Sequence, residues 1–139
     1  MYSFSYLKPA SIKEASNILS VSDENKVISG GMTLLPTLKQ RLARVENLIG
    51  LENCGLDKIS LQEGILKIGA MATHDDVSNS KLIKSENPAI AELASQIGDR
   101  QVRNRGTIGG SLANNDPSAC YPAALLALAG KVHTNKRDI

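Results

Sequence analysis

The sequence predicts an α+β fold, and three patterns predict it. Up to Leu51, short apolar runs alternate with amphipathic helical stretches, the order of a small parallel sheet. Ile59 to Leu61 and Leu66 to Ile68 alternate apolar with polar residues, as in an antiparallel hairpin with one solvated face. Two glycine-rich stretches, one in each half, interrupt these patterns where neither strand nor helix gains from glycine.

Taken in order, Tyr2 to Leu7 alternates apolar residues with serine and reads as a strand that Pro9 ends. Ser11 and Glu14 form a capping box, and Ile12, Ala15, Ile18 and Leu19 share one helical face. Ser22 to Asn25 is a polar turn. Lys26 to Ser29 is a second strand, feeding the glycine pair Gly30-Gly31. Leu34, Leu35, Leu38 and Leu42 give the following helix a core-facing stripe, with Lys39, Arg41 and Arg44 on its solvated side. Val45 to Leu51 is a third strand, and the strand–helix crossovers should be right-handed. Asn53 to Asp57 is a linker, which divides the chain into a first subdomain, residues 1–55, and a second, residues 56–139.

In the second part, Ile59 to Leu61 and Leu66 to Ile68 form a hairpin around Gln62-Glu63-Gly64. Thr73 to Asp76 is another capping box. His74 within it has no second histidine nearby and reads as a surface or capping residue. Pro88 opens a helix with Ile90, Leu93, Ala94 and Ile97 buried, and Gly98 stops it. Pro117 and Pro122 fence a turn; Pro122 suits the first position of a helix carrying Ala123 to Leu128, which Gly130 ends. Lys131 to Thr134 begins a last strand, and the absence of a return strand predicts an open sheet edge.

Composition narrows the function. With 139 residues, 42% of them hydrophobic, the chain supports one modest core. A net charge of +2 is too small to argue for nucleic acid, and one Phe, three Tyr and no Trp leave no stacking platform for single strands. No apolar run is long enough for a membrane span, and no basic region followed by an apolar stretch opens the chain, so the expected location is cytoplasmic. Cys54 and Cys120 have no metal-type spacing, and two thiols cannot ligate an iron–sulfur cluster that typically takes four. No acid–base or nucleophile constellation is visible, so no catalytic residue and no metal site are expected.

The chemistry lies in the glycine stretches. Val27 to Pro36 reads as strand, Gly-Gly turn and helix start, where outward N–H groups favour phosphate. Gln101 to Pro117 holds Gly106, Gly109 and Gly110, with the Thr107 and Ser111 hydroxyls flanking the last two. The first stretch has neither the Rossmann spacing nor a P-loop lysine. Together they suggest one extended diphosphate ligand cradled by backbone N–H groups of both turns and by Ser29, Thr33, Thr107 and Ser111. Arg103 and Arg105 alternate, so on a strand they would share a face, toward phosphate, another subunit or surface partners. The residues alone leave the dinucleotide open.

Gln101 to Leu112 resembles the second flavin loop of the FAD-binding medium subunit of the molybdenum hydroxylases, and Ser29 to Pro36 resembles the first. That family includes aerobic carbon monoxide dehydrogenase, xanthine dehydrogenase and related aldehyde and aromatic-acid enzymes. Ile68 to His74 and Tyr121 to Ala124 also fit, and the resemblance runs from Tyr2 to the last residue. It implies a p-cresol methylhydroxylase-type FAD-binding fold, with FAD between a small parallel βαβ subdomain and an antiparallel one. Ser29, Gly30, Gly31, Met32 and Thr33 would then hold the pyrophosphate side, and Thr107, Ile108, Gly109, Gly110, Ser111 and Asn114 would form the second loop. It also implies an electron-transfer role, with a molybdopterin-binding large subunit and a small subunit carrying 2Fe–2S clusters as partners.

Three departures accompany the resemblance. Cys120 stands where the family usually has an aspartate that contacts the cofactor, and Arg100 where proline is common. The family also continues well beyond this length, which predicts an incomplete second subdomain and raises the alternative of a non-redox remnant with an assembly role.

Overall fold

The computed structural model describes all 139 residues. Its first part is β1 (Ser5–Leu7), α1 (Ile12–Leu19), β2 (Lys26–Ile28), α2 (Leu34–Lys39) and β3 (Asn47–Gly50). The strands form a parallel sheet in the order β1-β3-β2, as the alternation predicts. Central β3 is the most buried, with Leu48, Ile49 and Gly50 all buried. Leu38, Val45 and Leu48 make the core here, with Phe4, Ile28 and Leu34 packed against it. Buried Asn25 is fully engaged, donating to the Ile18 carbonyl and accepting from the Asn47 amide, both at 2.8 Å. It ties the start of β2 to both neighbours without leaving a buried polar group unpaired.

The second part opens with an antiparallel hairpin, β4 (Ile59–Gln62) and β5 (Ile65–Ile68), in register Gln62↔Ile65. Its two turn residues, Glu63 and Gly64, both have positive φ (51° and 77°), the primed turn that matches strand twist. Six helices follow: α3 (His74–Asn79), α4 (Lys81–Glu86), α5 (Pro88–Ser95), α6 (Arg100–Arg103), α7 (Ile108–Asn114) and α8 (Cys120–Ala127). Ala72, Val77, Ile83, Ala91, Ala94, Ile108 and Tyr121 form their core, and Ile59, Leu66 and Ile68 of the hairpin cover it. Thr73 caps α3 with a complete capping box to Asp76, as predicted.

The second sheet is the antiparallel β4–β5 hairpin, and helices supply the rest of this half, within the α+β class expected. Other expectations are overturned. The α2 stripe stops at Leu38, because Arg41 takes φ 58° and turns the chain, leaving Leu42 73% exposed. Arg100 to Arg103 is helical rather than extended, because the Asp99 side chain caps it by accepting from the Val102 N–H at 2.8 Å. Arg103 and Arg105 therefore share no strand face; Arg103 donates to the Ile97 and Gly98 carbonyls instead. Helix α8 starts at Cys120, so Pro122 is its third residue, where a missing N–H still costs no intrahelical bond.

The last strand is not left open either. Val132 and Ile139 exchange backbone hydrogen bonds at 2.8 and 2.9 Å across a tight turn, and His133 faces Asp138 at 2.6 Å. The tail pairs with itself, and Asn135 reaches back to the Ser16 hydroxyl at 3.1 Å.

Candidate functional site

The first loop leaves the sheet at the C-terminal end of β2. None of the six backbone N–H groups from Ser29 to Leu34 donates to a protein acceptor. The ladder ends at Ile28, and the helical pattern resumes only with the Leu35 N–H on the Gly31 carbonyl at 2.9 Å. Gly31 makes the turn, with φ 75°. Met32 and Thr33 are exposed, and the Thr33 hydroxyl is free of protein partners. Successive unpaired N–H groups of this kind form an anion-binding concavity.

The second loop is different from the open turn expected. Gly109 and Gly110 lie in the first turn of α7, which Thr107 caps through the Gly110 N–H at 3.1 Å. The Ile108 and Gly109 N–H groups go to the Ala72 and Ala70 carbonyls, and the Ser111 N–H to the Thr107 carbonyl. The Ile108 side chain belongs to the core. This loop consequently offers a ligand side chains, the Ser111 hydroxyl and the Asn114 amide, rather than a row of N–H groups.

The glycines of both loops permit close approach, and what approaches is the chain itself. A Cβ on Gly30 would collide with the Arg105 carbonyl and lie 2.9 Å from the Gly106 Cα. One on Gly109 would lie 2.6 Å from the Ala70 carbonyl oxygen, and one on Gly110 2.7 Å from the Ser29 hydroxyl. The Thr107 hydroxyl donates to the Ser29 hydroxyl at 3.0 Å. The structure thus brings Ser29, Gly30, Thr107 and Gly110 together directly, and the free N–H groups open beside that seam.

Sequence reasoning missed two residues beneath the seam. His74 is buried rather than superficial, and its backbone N–H donates to the Gly106 carbonyl at 2.9 Å. Its ring lies 5.5 Å from that of buried Tyr121. The His74 Nδ1 and the Tyr121 hydroxyl have no hydrogen-bond partner. Burial pushes the imidazole below its usual value; burial, with Cys120 adding to it, pushes the phenol up. Cys120 itself is exposed at the first turn of α8. No group of three His, Cys, Asp or Glu is arranged to hold a metal.

A short parallel sheet, a row of free N–H groups at a strand end, and a second hydroxyl-bearing loop docked beside it are features that a dinucleotide-binding module uses. Residues 2–138 match the family described as FAD binding domain in molybdopterin dehydrogenase, and the chain belongs to that family. FAD is the cofactor of such domains. Among curated relatives, the nicotine 6-hydroxylase medium subunit of Paenarthrobacter nicotinovorans is 40% identical over 91% of this chain. The carbon monoxide dehydrogenase medium chain of Hydrogenophaga pseudoflava is 38% identical over 90%. The chain spans 45% and 44% of the lengths of these two relatives. Among solved structures, quinoline 2-oxidoreductase from Pseudomonas putida 86 superposes with a TM-score of 0.92 at 34% identity, covering 99% of this chain and 50% of that one.

Proposed function

We propose that this chain is the FAD-binding part of an electron-transfer subunit in a molybdopterin-dependent hydroxylase. FAD would lie between the parts 1–55 and 56–139, treated as two subdomains. The observation that carries the reading is the run of six unpaired N–H groups at Ser29 to Leu34. Those of Ser29, Gly30, Gly31, Met32 and Thr33 would take the diphosphate, whose charge suits a concave row of backbone donors and needs no lysine. Ser111 and Asn114 would add side-chain donors from the second loop, while Thr107, Ile108, Gly109 and Gly110 set where that loop stands. FAD supplies the redox chemistry, and the protein binds and orients it.

The relatives are named as medium subunits of carbon monoxide dehydrogenase and nicotine 6-hydroxylase. By that likeness, the partners are a molybdopterin-binding large subunit and a small subunit with 2Fe–2S clusters. Electrons would pass from those clusters through FAD to an acceptor, in the cytoplasm. No helix of the chain is long and apolar enough to cross a membrane.

The test is the quenching of FAD fluorescence on titration with purified protein, with Gly31→Val as the control. Valine at φ 75° is strained by on the order of 1–2 kcal/mol, and its methyls would meet Leu35 and Ile28, whose atoms already stand about 3 Å from the Cβ position. The expected result is saturable binding by the parent and none by a folded variant. Equal affinity of both would remove the first loop from the site.

A further inference from the structure

We propose that His74 is a positioning residue for the joint between the two loops: its uncharged imidazole, wedged between Gly106 and Tyr121, keeps the Arg105–Thr107 backbone seated on Gly30. The proposal rests on the reading that these loops hold FAD, and concerns what keeps them in register.

The geometry is specific. The His74 Nε2 lies 2.6 Å from where a Cβ on Gly106 would stand, and its Cδ2 lies 2.8 Å away. The ring therefore fills the space a side chain at 106 would occupy. The His74 N–H and Ile108 N–H fasten the same turn from either side, to the Gly106 and Ala72 carbonyls. Arg105, before Gly106, presents the carbonyl that abuts Gly30. Thr107, after it, holds the Ser29 hydroxyl. One three-residue turn thus presents the Arg105 carbonyl to Gly30 and the Thr107 hydroxyl to Ser29, and the imidazole packs against its middle residue.

The seat favours the neutral ring. An imidazolium donates from both nitrogens, and Nδ1 faces no acceptor. No charge compensates it. On its own helix, Asp76 is engaged by Thr73, and Asp75 completes the acidic pair. The charged residues on the elements packed against α3 are Lys81, Lys84 and Glu86 of α4, Glu92 of α5, and Arg100 and Arg103 of α6. Tyr121 and Cys120 are the titratable groups of α8. Burial is the cause that moves the His74 ring, and it moves it down. Protonation would leave a buried cation without a partner, which is relieved by opening the turn. A group held below its ordinary value contributes above that value and is lost as pH falls, so a ligand of the seated joint binds more weakly at low pH.

The experiment uses the whole chain with His133→Gln, an exposed tail position outside the site. His74 is then the one imidazole, since the sequence has two histidines. FAD affinity is titrated between about pH 7.5 and about pH 5, alongside the ring's NMR shift, with circular dichroism reporting fold. Amide exchange at Gly110, whose N–H bonds to Thr107, reports the joint without any ligand. Affinity is expected to fall roughly tenfold or more as His74 titrates, FAD to lower the ring's midpoint, and Gly110 exchange to accelerate. His74→Phe, which keeps a ring, is expected to bind FAD near neutral pH with a flat profile.

Rising affinity at low pH would make His74 a cation for the diphosphate and overturn the proposal. A parallel profile in His74→Phe, or Gly110 exchange indifferent to the ring, would overturn it too. Absence of FAD binding by the parent near neutral pH would instead strike the proposed function, and the exchange titration would still decide this point. It also decides the matter if His74→Phe does not fold.

Discussion

At the scale of single residues, neighbouring glycines of the first loop have different duties. Gly31 is there for its backbone, at φ 75°, whereas Gly30 is there for the Arg105 carbonyl that stands where its side chain would be. The sequence shows a Gly-Gly turn but not this division, because the atom that excludes a side chain at 30 comes from far along the chain. His74 shows the same limit. A lone histidine beside a capping threonine reads as superficial, and only the packing of α8 and the Gly106 turn buries it. Cys120 is a site where residue chemistry makes a sharp prediction. It opens α8, whose N-cap, Ala119, has no side-chain acceptor. An aspartate there would complement the helix dipole by about 0.3–1 kcal/mol, measured by urea unfolding. If FAD is held as proposed, Cys120→Asp should also tighten it roughly tenfold, a charge-assisted hydrogen bond contributing about 1.5–3 kcal/mol. Greater stability with unchanged FAD affinity would confine position 120 to the helix.

Elements were legible where one local rule decides them. Ser11 caps α1 by accepting from the Glu14 N–H at 3.2 Å, and the Thr73–Asp76 box opens α3. Both are written in four consecutive residues. The parallel sheet was legible from its alternation with helices. What failed was decided at longer range or by a single dihedral. Leu42 fits a helical stripe, but Arg41 leaves the helix first. Gly109 and Gly110 suggest an open turn, but a threonine cap folds them into α7 and spends their N–H groups on the protein. The tail has a turn and a partner within nine residues, so Lys131 to Thr134 needs no later strand to pair with. The β4–β5 turn allows a clean test of such local rules. Glu63 has a Cβ and yet sits at φ 51°, ahead of Gly64. Glu63→Asn gives the Asn-Gly pair that this turn favours and should stabilise the chain by roughly 0.5–1 kcal/mol in chemical denaturation. Destabilisation would mean that Glu63 has a role beyond the turn.

At the scale of the molecule, the fold has two hydrophobic clusters, one under the parallel sheet and one among the helices. The loop seam lies between them. Its direct bond, the hydroxyl pair of Thr107 and Ser29, contributes only about 0.5–1.5 kcal/mol in a setting of this kind. A ligand gripping N–H groups on one side and the Ser111 and Asn114 side chains on the other would therefore couple the two halves more firmly than the protein does alone. Free ligand at about 100 times its Kd adds about 2.7 kcal/mol to the folded state, which for a chain of this size raises Tm by on the order of 10 °C. The distribution of that gain is the informative part. Hydrogen exchange with and without FAD should show slowing in Leu48 and Ile49 of the sheet and in Val77 and Ala94 of the helical cluster alike. Gly31→Val should abolish both effects together, since the first loop would no longer hold its end. Slowing confined to the sheet, with Val77 and Ala94 unchanged, would mean that the ligand sits on the first loop alone and that the second loop serves only to brace it.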